Sequence, residues 1–174
     1  MLTRILALLL VMQSAPSSRQ AFVVERARVG SVSIGADAVS LYSEFGDRAR
    51  LIDLKLEGHL SPALEIRLFG SQFTPSIIAE IAPAANRLVV SRIHVLDPSL
   101  RTADGIGIGS TYGELRSRYK IDWVGSGEGA VYARVEQLAI SFQLDTSGAA
   151  GLLSIRDPEK VPVDVRIVSL MLTG

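Results

Sequence analysis

Laid on itself with a shift of 74 residues, so that Ile34-Gly35 falls on Ile108-Gly109, this chain matches at positions spread over most of its length. Leu41 falls on Leu115, Phe45 on Tyr119, Leu64 and Ile66 on Leu138 and Ile140, Val89 on Val163, and Arg92-Ile93 on Arg166-Ile167. The matches need no gap and cluster at element-like positions, the signature of one folding unit present twice. Such a duplication constrains architecture more than activity, because both copies must find cover for the same apolar face. The chain is therefore expected to divide into a leader over residues 1–17, a first unit over 18–100 and a second over 101–174.

The leader follows from the N-terminal pattern. Arg4 precedes the apolar run Ile5 to Met12, and small residues follow, which is the grammar of a secretory signal. The run is too short for a bilayer, which needs about 20 residues. Pro16 disfavours cutting just before it, so cleavage is expected near Ser17. The whole chain carries 18 Lys plus Arg and 18 Asp plus Glu; loss of Arg4 leaves 17 against 18. A balance of that kind gives no long-range attraction to phosphate backbones or anionic lipid, so nucleic acid is not an expected partner. Cysteine is absent, which rules out disulfides and a lipid-anchoring N-terminal cysteine. A periplasmic or secreted location is the expectation, with no transmembrane segment once the leader is removed.

Each unit reads as strand, short helix, then three strands, giving an α+β fold of two tandem β-α-β-β-β repeats with an antiparallel sheet and helices on one face. In the first unit, Arg28 to Ile34 is extended, Asp37 is an N-cap, and Gly46 stops a helix ending near Phe45. Leu51 to Glu57 alternates, with Ile52, Leu54 and Leu56 on one side and Asp53, Lys55 and Glu57 on a wet one. Leu64, Ile66 and Leu68 alternate with Glu65 and Arg67 in the next strand. Thr74-Pro75 looks like the cap and first turn of a helix through Ile77, Ile78 and Ile81, before a last strand from Leu88 to Leu96. In the second unit Thr111-Tyr112-Gly113-Glu114 is a capping box for a helix to Tyr119. Strands are expected at Val131 to Val135, Leu138 to Leu144 and Val163 to Met171, with Asp145 to Pro162 as loop. The connection Leu96 to Thr102 holds a turn signal, Asp97-Pro98-Ser99, and is too short to separate two bodies widely, which favours one joined sheet.

No catalytic, cofactor or metal site is expected. Gly105, Gly107 and Gly109 precede a helix, but the spacing suits neither a dinucleotide turn nor a phosphate loop, and no lysine follows. His59 and His94 lack the further ligands a zinc site needs, although Glu57 and His59 could share a hairpin end. No serine sits in a nucleophile elbow. Three residues are candidates for partner binding. Arg92 and Arg166 coincide under the shift and would project from strands toward solvent or a partner, or into a cross-strand ion pair with an acid such as Glu65. Trp123, before a glycine-rich turn, could anchor an interface or plug the gap between helix and sheet.

The strings IGSTYGELRSRY and IGADAVSLYSEFG resemble the helix signature of small bacterial envelope domains, the SmpA/BamE outer-membrane-assembly lipoproteins and the β-lactamase inhibitory protein. The tandem arrangement is similar to the latter. This chain departs from them in lacking a lipobox cysteine and a disulfide pair. The resemblance implies export and binding of a protein or cell-envelope partner. Two contrasting readings remain: a small hydrolase or metal-dependent enzyme whose carboxylates converge only in the fold, and a structural domain whose partner is another copy of itself.

Overall fold

Two short helices begin where the sequence supplies caps. The computed structural model describes residues 23–56, 59–69, 74–127, 129–147 and 150–174, so the leader and Glu57 lie outside it; the side chains at positions 56, 59 and 150 also lie outside the description. Helix α1, Ala38–Phe45, starts at Asp37, whose carboxylate accepts the Ser40 amide at 2.8 Å. Helix α2, Tyr112–Arg118, carries the complete capping box: Thr111 Oγ1 accepts the Glu114 amide at 3.2 Å and Glu114 Oε2 accepts the Thr111 amide at 2.7 Å. Helices this short do not persist alone in water. They are held by the inward side chains Leu41 and Phe45 on one, Tyr112 and Leu115 on the other, all buried.

After each helix the chain runs through a four-strand antiparallel meander. The first comprises β4 (Ala49–Leu56), β5 (His59–Ile66), β6 (Ile77–Ala84) and β7 (Arg87–Val95); the second, β8 (Trp123–Gly127), β9 (Ala130–Val135), β10 (Ile140–Leu144) and β11 (Ile167–Thr173). The last strands of the two meanders pair, Val95 opposite Leu170 and Ile93 opposite Leu172, so the sheet is continuous in the order β4-β5-β6-β7-β11-β10-β9-β8. Three two-residue strands, β1 (Val24–Glu25), β2 (Arg28–Val29) and β3 (Val32–Ser33), form a separate small sheet. Strand alternation puts Leu64, Ile66, Ile77, Ile93, Val95, Leu170, Leu172, Ile140 and Phe142 on one face, all buried. This face and the helices share a single apolar core spanning both halves.

The two helices reach the sheet through corresponding contacts. The Gly35 amide donates to the Val90 carbonyl at 2.7 Å, and the Gly109 amide to the Ile167 carbonyl at 2.8 Å. In return Val90 donates to Ala36 at 2.9 Å and Ile167 to Ser110 at 2.8 Å, while Asp37 bridges Val89 and Thr111 bridges Arg166. Gly35 and Gly109 have φ of +82° and +86°, and a Cβ at either would meet open space. Backbone conformation, not crowding, therefore asks for glycine there.

Those bonds correct the ungapped alignment. The loops match at a shift of 74, Gly35 to Gly109, but the last strands match at 77, Val90 to Ile167. Arg166 thus stands where Val89 does, and its coincidence with Arg92 in sequence is not one of position. The expected β-α-β-β-β order also gives way. Four strands follow each helix, and only two-residue strands precede α1, with isolated bridges at Arg101, Thr102 and Gly107 before α2. The helix expected from Thr74-Pro75 is strand β6: the β-branched Ile77, Ile78 and Ile81 prefer the pleat, and partners on both sides outweigh one local cap signal. Residues Trp123 to Gly127, read as approaching a turn, form β8. On β4 the expected alternation holds, with Asp53 and Lys55 exposed, but these exposed residues lie on the core side of the sheet. Asp53 and Lys55 share the face of buried Leu64 and Ile66, whereas Ile52 and Leu54 are half-buried on the opposite one.

Candidate functional site

The face of the sheet turned away from the helices is open, and the same alternation that buries Val124, Ala133 and Phe142 aims their neighbours Trp123, Arg134 and Gln143 onto it. At its centre Glu80 on β6 is buried and stands opposite Arg92 on β7. One carboxylate oxygen, Oε1, accepts from Arg92 Nη1 at 3.3 Å and contacts His94 Nε2 at 2.5 Å. The ladder shifts register between Glu80 and Ile81, and a bulge of that kind re-aims side chains. Burial pushes the Glu80 carboxyl up; the hydrogen bond from His94 and the charge of Arg92 more than offset it, and the group titrates below the usual glutamate range. Toward one edge Arg50 Nε donates to Glu65 at 2.7 Å across β4 and β5. Toward the other, Arg134 Nη1 donates to Thr173 Oγ1 at 2.8 Å, and Ser169 Oγ donates to Gln143 at 2.7 Å. Arg50 is thus ion-paired with Glu65, Arg92 with Glu80 and Arg134 with Glu136.

Trp123 differs from these. It is the first residue of β8 and 47% exposed, on the side away from the helices, so it does not plug the gap between helix and sheet. A Cβ built on Gly125 would lie 2.2 Å from Trp123 Cζ2 and 2.8 Å from both atoms bonded to it, so the indole rests with its face on that glycine. The absent side chain makes the seat. One broad surface of the ring is thereby fixed against the strand and the other is turned outward.

The other candidates are placed differently. Arg92 lies on the open face, paired with Glu80 rather than Glu65. Arg166 precedes β11 and its Nη1 donates to the Gly109 carbonyl at 3.0 Å, clamping the loop before α2. His94 joins Glu80, a pairing that sequence could not show because fourteen positions separate them. The glycine loop at 105–109 wraps a cation: Arg101 Nη1 donates to the Gly105 carbonyl at 2.9 Å and Nη2 to the Ile108 carbonyl at 3.2 Å. Carbonyls converging on a guanidinium are the reverse of a phosphate cradle, whose inward groups are amides. Among the described residues no three acidic or histidine side chains are placed to share a metal ion. No helix among them is long and apolar enough to cross a membrane.

Neither a family model nor a curated protein matches the chain. Its fold is similar to the crystal structure of the uncharacterized protein yfeY from Escherichia coli, with a TM-score of 0.62 and 16% sequence identity over 87% of this chain and 99% of that one. At that identity the likeness shows a shared α+β fold and nothing of activity.

Proposed function

We propose that this is an exported protein of two copies of one unit, which works by binding another protein or a cell-envelope component through its open sheet face, with Trp123 as the anchor. The leader-like N-terminus supports export, in keeping with the resemblance to small envelope domains. The paired loop contacts, Gly35 to Val90 and Gly109 to Ile167, support the duplication. A binding role is favoured over catalysis because Glu80, the buried acid of the face, is committed to Arg92 and His94.

The observation that carries the reading is the outward face of Trp123. Exposing a tryptophan forgoes the burial of a large apolar surface, and such rings dominate the energetics of protein interfaces. Arg92 lies on the same face; Arg166 enters only as a loop anchor. The test is capture from an envelope extract by tagged mature protein, with mass spectrometry of what is retained. Trp123→Ala should lose the captured partner while melting within a few degrees of the parent. Undiminished capture, or a collapse in melting temperature, would reject Trp123 as the anchor.

A further inference from the structure

The two edges of the eight-stranded sheet are finished differently. At β8, Val124 and Gly125 are buried, the turn Ala150–Ser154 packs against the strand, and Arg156 donates to Ser126 Oγ at 3.0 Å. At β4, Arg50, Leu51, Asp53 and Lys55 are all exposed. The pairing of β4 with β5 runs without a bulge from Ala49 to Leu56, and β4 contains no proline. An uninterrupted edge presents a row of amides and carbonyls that only another extended backbone can match. Charged side chains usually guard such an edge. Here Arg50 is engaged by Glu65, whereas Asp53 and Lys55 have no ion-pair partner among the described residues.

We propose that β4 pairs with β4 of a second copy, antiparallel about a two-fold axis through Leu54, extending the sheet across two chains. In that register Asp53 of each copy stands opposite Lys55 of the other, giving two reciprocal ion pairs on one face. On the opposite face Leu54 meets Leu54, flanked by Ile52 from each chain. Slipping by two residues one way sets Asp53 against Asp53, and the other way sets Lys55 against Lys55. Slipping by one turns the helix layers to opposite sides of the sheet. Charge thus selects one register, and the occupant it fits is this chain itself. A single strand edge buries less than the roughly 1,200 Å² of a stable interface, so the dimer dissociates on dilution. The proposal is independent of Trp123, which sits at the far end of the sheet.

Sedimentation velocity over a range of concentrations, at low salt, tests it. The parent protein should pass from monomer to dimer. Asp53→Lys and Lys55→Asp, each at an exposed position, should each raise the dissociation constant about tenfold or more. An equimolar mixture of the two variants should dimerise again, since each supplies the charges the other lacks, and the double swap in one chain should do the same. Circular dichroism melts confirm that both variants fold, and Trp123→Ala should leave the dimer intact. A strictly monomeric parent, a dimer indifferent to both charge changes, or no recovery on mixing would overturn the proposal.

Discussion

The two halves of the molecule use the same attachment and different peripheries. In each, a loop with a glycine at positive φ donates to the last strand and leads directly into a capped helix. Away from that attachment they diverge. The first half extends long hairpins, with eight-residue β4 and β5 leaving Leu51 63% exposed. The second has five-residue β8 and β10 and closes its edge with the segment around Leu152, which is buried. What is common is what joins helix to sheet and meander to meander. What differs is the surface available to partners, which leaves an open strand edge at one end and an aromatic platform at the other.

The correspondence can be broken most forcefully at the inward helix residues. Leu41→Ala and Leu115→Ala each remove a buried side chain from an equivalent place, and each should cost about 2–5 kcal/mol in denaturant unfolding. A large effect in one and none in the other would show that the halves do not bear equal loads. Next come Gly35→Ala and Gly109→Ala. Open space around both positions leaves only backbone strain, so losses of about 1–3 kcal/mol, similar for the two, should appear in the same assay. Thr111→Ala, which removes one cap, should cost about 1 kcal/mol.

Acid sharpens the comparison further. Backbone and side-chain hydrogen bonds from Ser40 hold the Asp37 carboxyl below the usual range, against a small opposing effect of burial. Glu80 is likewise lowered, by His94 and Arg92, although burial opposes it. A carboxyl lowered in the folded state contributes stability that is fully present above its unfolded value and lost as pH falls through its folded value. Asp37→Asn and Glu80→Gln should therefore flatten the acid limb of a stability-versus-pH curve, below about pH 4–4.5. The cap at Thr111 is a hydroxyl, so Thr111→Ala should lower the whole curve near neutrality instead. An acid limb untouched by both carboxyl variants would contradict these assignments.

Much of the fold was legible where the signal is local. Asp37, Gly46 and the Thr111-Glu114 box mark helix ends within a few residues of sequence, and both helices begin where those residues place them. What escaped was set by distant partners. Thr74-Pro75 carries a genuine cap signal, yet β5 and β7 recruit Ile77–Ala84 into the sheet. Which side of the sheet Asp53 and Lys55 occupy depends on the register of β4 with β5, which alternation alone does not fix. The three-residue offset between the last strands is invisible to an ungapped comparison, and it misled the pairing of Arg92 with Arg166. The exposure of Trp123 and its seat on Gly125 follow from β8 being a strand, which the glycines of WVGSG concealed.

The central structural claim is that each helix loop docks on its own last strand in the same way, offset by 77 residues on the strand side. Scalar couplings across hydrogen bonds, measured by NMR on isotope-labelled protein, test it bond by bond. Coupling should run from the Gly35 amide nitrogen to the Val90 carbonyl carbon and from Gly109 to Ile167. Coupling from Gly109 to Asp164, the residue the ungapped repeat would require, or its absence in one half alone, would contradict the account.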